Sequence, residues 1–206
     1  DGDGVVTLEE FGKMGSMSVT LNFAANYVSL MGSEKLGYLR LFTVCVPSGY
    51  KSMWDVPNLL LQKFPANEFT VTTEIEPDLK NHDEYAGLII MGRDYSYIAV
   101  KLTENGYQLI RKTCIDADRE GIEQEDKKIN INKGEIYLRI HVTEEANCQF
   151  SYSLEGEKYT MLGPIFKACE GKWIGAKVGL FALNKKENKT QGYTDFNWFR
   201  FEKLAN

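Results

Sequence analysis

The chain has 206 residues, of which 43% are hydrophobic and 26% are charged, and this balance is typical of a folded globular protein rather than a disordered one. Its formal net charge of −5 argues against binding to nucleic acid or to an anionic membrane surface. The sequence contains no secretory signal and no apolar run long enough to span a membrane. We therefore expect a cytoplasmic rather than a secreted protein, and the start at Asp1 suggests a part of a longer polypeptide.

Glycines interrupt the first 35 residues, and neither a strand pattern nor a helix pattern persists there. We interpret residues 1–35 as a linker or tail and residues 36–206 as the folded domain. Within the tail, residues 1–11 resemble the end of an EF-hand calcium loop, with Asp1, Asp3 and Glu10 at ligand positions. Two glycines follow where the exit helix would form, so an acidic, glycine-rich linker is the favoured interpretation.

From about residue 38 onward, apolar and polar residues alternate with a period of two. In Ile136–Val142, for example, four aliphatic residues alternate with Tyr137, Arg139 and His141, as expected for a strand with one buried and one wet face. The predicted strands are residues 37–46, 58–63, 69–76, 86–92, 95–102, 107–113, 128–132, 136–142, 149–154, 177–183 and 193–202.

Turn residues separate these strands, and the strongest hairpin signal is Asn105-Gly106, between the strands at 95–102 and 107–113. About a dozen short strands without a convincing helix predict an all-β fold, a two-sheet antiparallel β-sandwich. The Cys…Trp…Cys pattern of immunoglobulin domains is absent. A jelly roll of the lectin or concanavalin A-like type fits better.

The sequence contains no recognisable self-contained active site. His82-Asp83-Glu84 and the acidic stretch 116–120 fall between predicted strands, where charged runs are usually solvated. Four scattered cysteines and only two histidines do not form a zinc motif, and both free thiols and two disulfides stay open. We single out no pair of opposed carboxylates of the kind that a glycosidase needs.

Asp195, in the last predicted strand, is a candidate ligand for a structural Ca²⁺ ion, because sandwiches of the lectin type often hold calcium through one strand carboxylate and several carbonyl oxygens. The alternative is a strand-end carboxylate that caps backbone amides. Both interpretations stay open from the sequence.

Three tryptophans are candidate platforms for sugar rings. Trp198 lies in a dense apolar strand with Phe196, Phe199 and Phe201, and we predict that it belongs to the core. Trp54 lies in a predicted loop and is a candidate carbohydrate contact. Trp173 also lies in or near a loop, where a packing role and a ligand role are equally compatible with the sequence.

The order of these segments resembles the C-terminal sandwich of glycoside hydrolase family 43 β-xylosidases and α-L-arabinofuranosidases. The matching text runs from about residue 27 to the end of the chain and closes on KVGLF at 177–181 and TDFNWF at 194–199. Earlier matching pieces are residues 37–41, 58–63, 69–73, 86–90, 95–98, 136–140 and 150–153.

The resemblance implies a division of labour within a larger enzyme. In such enzymes a five-bladed propeller carries the catalytic carboxylates, and the sandwich packs against it. The resemblance therefore implies a catalytic β-propeller domain of the same polypeptide as the partner, xylo- or arabino-oligosaccharides as substrates, and no complete active site in this chain. It places Trp173, where the family usually has Phe, on a loop that forms an aromatic wall of the sugar pocket. A homo-oligomer is also possible on the sequence alone.

A second hypothesis from a different class is an independent carbohydrate-binding module or lectin. Such a module should have a groove lined by Trp54 or tyrosines together with bound calcium, whereas an accessory domain should expose an apolar surface around Trp173. A third hypothesis, a calcium sensor built on residues 1–11, would require an upstream helix and a second loop.

Overall fold

A computed structural model describes residues 5–6, 28–29, 38–56, 58–132, 134–186 and 192–202. Their strands form two sheets, which confirms the predicted β-sandwich. The nine-stranded sheet contains β1 (Val5–Val6), β2 (Val28–Ser29), β3 (Leu39–Phe42), β6 (Phe69–Asp78), β11 (Ile136–Val142), β12 (Asn147–Ser153), β13 (Thr160–Met161), β14 (Phe166–Lys167) and β16 (Tyr193–Glu202). The seven-stranded sheet contains β4 (Val44–Cys45), β5 (Leu59–Lys63), β7 (Glu84–Met91), β8 (Tyr95–Thr103), β9 (Gly106–Cys114), β10 (Gln124–Ile131) and β15 (Lys177–Asn184).

In both sheets, strands that are far apart in the sequence lie next to each other, as in a jelly roll. The nine-stranded sheet runs β13-β12-β11-β6-β16-β3-β2, with β14 beside β12 and β1 beside β16. The seven-stranded sheet runs β10-β9-β8-β7-β15-β4, and β5 also pairs with β15. All described pairs are antiparallel except β4 with β15, and the predicted hairpin joins β8 to β9, where Thr103 pairs with Gly106.

The main core lies between the sheets, because the inward face of each strand carries the apolar half of the alternating pattern. In β11, the residues Ile136, Leu138, Ile140 and Val142 are fully buried, while the residues between them are half-buried on the other face. Each full burial of such an aliphatic side chain stabilises the fold by about 1.5–3 kcal/mol relative to leaving it exposed.

A second apolar cluster covers the outer face of the seven-stranded sheet. It includes Ile89, Tyr97 and Phe181 from the strands, and Met53 and Val56 from the segment that precedes β5. Every residue of β7 is buried, because this strand has the main core on one face and the second cluster on the other. The pocket described below opens beside this second cluster.

A half-buried carboxylate, Glu123, joins the segment before β10 to residues of that sheet. Glu123 accepts hydrogen bonds from Lys185 Nζ (2.7 Å) and from the Tyr95 hydroxyl (2.9 Å), and Lys112 Nζ lies 3.6 Å away. Burial opposes the charge, but the two ammonium groups and the hydroxyl outweigh it and hold the pKa of Glu123 below its usual value. We interpret this cluster as structural.

The predicted strand at 37–46 is two strands that belong to different sheets. β3 pairs with β16 in the nine-stranded sheet, and β4 pairs with β15 in the seven-stranded sheet. Thr43 lies between them and donates from its hydroxyl to the carbonyl of Gly192 (2.9 Å) or to the carboxylate of Glu84 (2.8 Å). The chain therefore crosses between the two layers at Thr43.

Trp198 does not lie in the core, so that prediction is wrong. The pairing of β16 with β6 shifts register between Phe196 and Trp198, and the shift turns Phe196 and Phe199 inward. Trp198 consequently lies half-buried on the outer face of the nine-stranded sheet, where its Nε1 donates to Glu74 Oε2 (3.0 Å). The guanidinium of Arg200 lies 4.5 Å from its ring centroid.

Two short strands, β1 and β2, fall within the predicted tail, and they pair with β16 and β3. The acidic side chains of the EF-hand-like text lie outside the described residues. The boundary predicted at residue 36 stays a prediction. In the part of the chain that the structure describes, no helix is long and apolar enough to cross a membrane.

Candidate functional site

Trp173 occupies an exposed loop between β14 and β15. Its side chain is 94% exposed, the largest value among the large hydrophobic residues that the structure describes. The loop is nevertheless held at its ends. Arg93 N–H donates to the carbonyl of Glu170 (2.9 Å), and Phe64 N–H donates to that of Ala176 (3.2 Å). The indole is therefore available for contact with a partner molecule.

Two close contacts fix the course of this loop. Gly171 N–H donates to the carbonyl of Ile174 (2.8 Å), which closes the loop around Lys172 and Trp173. Just before the loop, the carbonyl oxygen of Cys169 would lie 2.0 Å from a Cβ atom at position 92, so only glycine allows the chain to pass there. The backbone therefore presents the indole to solvent.

The structure brings together Trp54 and Trp173, the two tryptophans that the sequence singled out as carbohydrate contacts. Both line a pocket of about 480 Å³ at the outer face of the seven-stranded sheet. The other lining residues are Met53, Val56, Leu59, Leu61, Met91, Gly92, Gly171, Lys172, Ile174, Gly175 and Lys177. No carboxylate is among the described residues that line it, so the pocket alone offers neither a general acid nor a nucleophile for glycoside hydrolysis.

Trp54 forms the inner wall of this Trp54–Trp173 pocket. It belongs to a one-turn 3₁₀ helix, Met53–Asp55, whose start is held by the hydrogen bond from Trp54 N–H to Ser52 Oγ (3.2 Å). Its indole Nε1 is buried and lacks a hydrogen-bond partner among the described residues. The ammonium of Lys172 lies 5.2 Å from the Trp54 ring centroid, within the range of a cation–π interaction.

Positive charge borders the pocket. Lys63 and Lys177 are register partners on β5 and β15, directly opposite each other. Burial, together with the charge of Lys63, lowers the pKa of the Lys177 ammonium. The described ion pairs include neither of these lysines nor Lys172.

Asp195, the candidate calcium ligand, lies elsewhere, on the outer face of the nine-stranded sheet. Its two carboxylate oxygens accept hydrogen bonds from Nε and Nη2 of Arg40, both at 2.7 Å. The same guanidinium lies 3.6 Å from the ring centroid of Tyr193. Among the described residues, no group of three or more His, Cys, Asp or Glu side chains is placed to hold a metal ion. These surroundings fit an ion pair better than a calcium site, since a cation would have to displace Arg40 from both oxygens.

Calcium binding at Asp195 stays a prediction that a titration can test. We expect the Asp195→Asn substitution to lower the free energy of unfolding by about 2 kcal/mol, because Arg40 loses a charge-assisted bidentate partner. That loss should be the same in excess EDTA and in millimolar CaCl₂. A melting temperature that rises with calcium in the wild type but not in Asp195→Asn would support the calcium interpretation instead.

Glu84 is a structurally important residue that the sequence interpretation missed. It lies in the cluster expected to be solvated, yet it is fully buried at the start of β7. Its carboxylate accepts hydrogen bonds from Thr43 Oγ1 and Gly192 N (each 2.8 Å) and from Lys80 N (2.5 Å). Asn81 donates two more, from its backbone and its side-chain amide (each 3.2 Å). We interpret Glu84 as a structural junction rather than a catalytic group.

The polar trio on β11 also has partners within the described part of the chain. Tyr137 donates to Glu74 (3.1 Å), Arg139 stacks 3.4 Å from the ring centroid of Tyr159, and His141 Nδ1 lies 3.1 Å from Thr70 Oγ1. The trio therefore lies on the outer face of the nine-stranded sheet, opposite to the face that packs on the main core.

The acidic stretch 116–120 lies beside the second apolar cluster. It contains a 3₁₀ turn, Ala117–Arg119, flanked by Asp116 and Glu120 in left-handed conformations (φ 52° and 67°). Glu120 forms an exposed ion pair with Lys51 (2.5 Å). The exposure of this pair fits the solvated role that the sequence favours for the stretch.

All four cysteines are free thiols, so of the two states left open by the sequence the reduced one is present. Cys114 and Cys148 are buried, and burial raises the pKa of Cys148 to about 12. Such a thiol is largely unreactive at neutral pH.

Comparison with known proteins finds a family model and relatives that match most of the chain. A family model described as the β-xylosidase C-terminal concanavalin A-like domain matches residues 13–202, and so begins before the predicted boundary at residue 36. A β-xylosidase from Formosa agariphila is 28% identical over 150 residues, which cover 72% of this chain and 24% of that protein.

Solved structures support the same fold. The GH43 BlXynB protein from Bacillus licheniformis superposes with a TM-score of 0.72 at 21% identity, over 89% of this chain and 36% of that one. A bifunctional GH43-CE protein from Bacteroides eggerthii gives a TM-score of 0.74 at 24% identity, over 88% of this chain and 24% of that one. The chain thus spans between about a quarter and about a third of the length of these relatives.

Proposed function

Because the chain belongs to the family of the concanavalin A-like C-terminal domains of β-xylosidases, we propose that it is the accessory domain of a family 43 glycosidase that acts on xylo- or arabino-oligosaccharides. In this proposal the domain packs on a catalytic β-propeller of the same polypeptide. The Trp173 loop forms an aromatic wall of the sugar pocket, and the catalytic carboxylates belong to the propeller.

The observation that carries the proposal is the exposure of Trp173 on an anchored loop. An indole that is 94% exposed gains nothing from its own domain, whereas a docked partner would remove its apolar surface from water. The neighbouring pocket supports the same role, because it is lined mainly by apolar side chains. Neutral sugars require several placed hydrogen-bonding groups, and the polar side-chain groups of this lining are the ammonium groups of Lys172 and Lys177 and the two indole N–H groups.

Hydrogen exchange tests the docking step directly. Backbone amides of residues 171–176 should exchange at least about tenfold more slowly in the full-length protein than in this chain alone, because docking excludes water from the loop. Residues 154–159, a loop on the nine-stranded sheet, should exchange equally in both and serve as the internal control.

Two outcomes would contradict the proposal. Equal exchange of residues 171–176 in both proteins would mean that the loop is not a docking surface. Protection of these amides in this chain alone by xylo- or arabino-oligosaccharides would favour an independent carbohydrate-binding module, with Trp54 and Trp173 as the sugar contacts.

A further inference from the structure

The charge distribution around the pocket is not balanced within the described part of the chain. Lys63 and Lys177 face each other across β5 and β15, and side chains of directly opposed residues leave a sheet on the same face, with Cβ atoms about 4.5–5.5 Å apart. That face is the outer one, since Leu61 and Phe181, two and four positions along the same strands, belong to the second apolar cluster.

Like charges directly opposed on an antiparallel pair destabilise it. Here neither ammonium has a carboxylate within ion-pair distance among the described residues, although Lys112, Lys185 and Lys51 each have one. Lys177 is half-buried, so its charge is also partly desolvated. Two opposed cations that have no counter-charge among the described residues disfavour the isolated surface and favour an anion that binds between them.

Lys172 extends the positive charge to the Trp173 loop. Its ammonium lies over the ring of Trp54 and lines the same pocket as Lys177. Ammonium groups donate hydrogen bonds and accept none, so they match carboxylate oxygens rather than the mixed donors and acceptors of sugar hydroxyls. The rest of the lining is mainly hydrocarbon, thioether and indole, which suits an apolar side chain.

We propose that Lys63 and Lys177 bind an acidic side chain, Asp or Glu, of the catalytic domain, next to an apolar side chain of that domain that enters the Trp54–Trp173 pocket. This inference rests on the proposed docking function and specifies the chemistry of the partner surface. The apolar contact supplies the area removed from water, and the carboxylate fixes orientation by removing the repulsion between the lysines.

Neutralising the lysines should have opposite consequences with and without the partner. In the full-length protein, Lys177→Met and Lys63→Met should each accelerate hydrogen exchange of residues 171–176 by about tenfold, and the salt dependence of that exchange should weaken. In this chain alone, the same substitutions should leave the melting temperature unchanged or raise it, because they remove a repulsion. The matched control is Lys158→Met, an exposed lysine between β12 and β13 of the other sheet, which should change neither quantity.

The same measurement separates the two proposals. Suppose that residues 171–176 exchange at the wild-type rate in both lysine variants but faster in Trp173→Ala. Docking then depends on apolar contacts alone, and the proposal of an acidic partner side chain is wrong. If residues 171–176 exchange equally in the wild-type full-length protein and in this chain alone, the docking function itself fails. Protection of the loop in this chain alone by xylo-oligosaccharides that carry glucuronic acid, abolished by Lys177→Met, would identify an acidic sugar as the occupant and overturn the protein partner.

Discussion

Replacing Trp173 with alanine in the full-length protein should lower kcat/KM for an aryl β-xyloside by about 10- to 100-fold, equivalent to about 1.4–2.7 kcal/mol of transition-state stabilisation. The indole contributes little to its own fold because it is 94% exposed, so the melting temperature should stay within about 1–2 °C of the wild type. A loss of activity without a loss of stability is the result expected of an aromatic wall that another domain completes.

Two further variants test whether the effect is specific to an aromatic side chain at position 173. Trp173→Phe keeps a flat aromatic face, as in most of the family that the sequence resembles, and should retain most of the activity. Ile165→Ala removes another exposed apolar side chain, 62% exposed and next to β14, and should leave kcat/KM unchanged. Wild-type kcat/KM in Trp173→Ala would exclude the loop from the sugar pocket.

The sandwich was predictable because the pleat imposes a period of two wherever one face of a strand is buried. The strands predicted at 136–142 and 193–202 have the predicted bounds, and the Asn105-Gly106 hairpin is present. Each of these features depends on neighbours along the chain. Local pattern therefore determined the fold class and most strand positions.

Features that depend on distant neighbours were not predictable in this way. The split of 37–46 between two sheets requires a partner strand on each side of Thr43, and both partners come from the last 30 residues. The shift that turns Trp198 outward is set by packing of β16 on β6. One feature of the sequence does indicate this register shift. Phe196 and Phe199 both face the core but are three residues apart, whereas strict alternation in a strand requires an even spacing.

The candidate site was predictable in part: its residues could be identified from the sequence, but their proximity could not. Trp54 and Trp173 were each identified locally or by resemblance, but their meeting in one pocket depends on the covering segment before β5 and the loop before β15. The opposition of Lys63 and Lys177 follows from the register of β5 against β15, which no local pattern specifies. The proximity of Lys63 and Lys177 therefore becomes evident only in the folded chain.

The second large effect concerns stability. Replacing Glu84 with alanine should lower the free energy of unfolding by about 4 kcal/mol, measured by urea denaturation of this chain. The carboxylate is fully buried and accepts four hydrogen bonds from N–H groups, besides the one that the Thr43 hydroxyl can donate. The substitution would leave the amides of Lys80, Asn81 and Gly192 without an acceptor. Unsatisfied buried donors cost about 1–3 kcal/mol each, partly recovered where water enters.

The position of these donors explains why the effect should extend to the whole domain. Glu84 begins β7, Thr43 marks the crossing between the sheets, and Gly192 immediately precedes β16. Loss of the carboxylate therefore removes hydrogen bonds that connect the two sheets. It should reduce the cooperativity of unfolding as well as the free energy of unfolding. Asp83→Ala is the matched control. Among the described residues, the Asp83 carboxylate forms an ion pair with Lys186 (3.2 Å), and a surface pair of this kind is worth about 0–1 kcal/mol. Equal unfolding free energies for the two variants would mean that the buried network does not join the sheets.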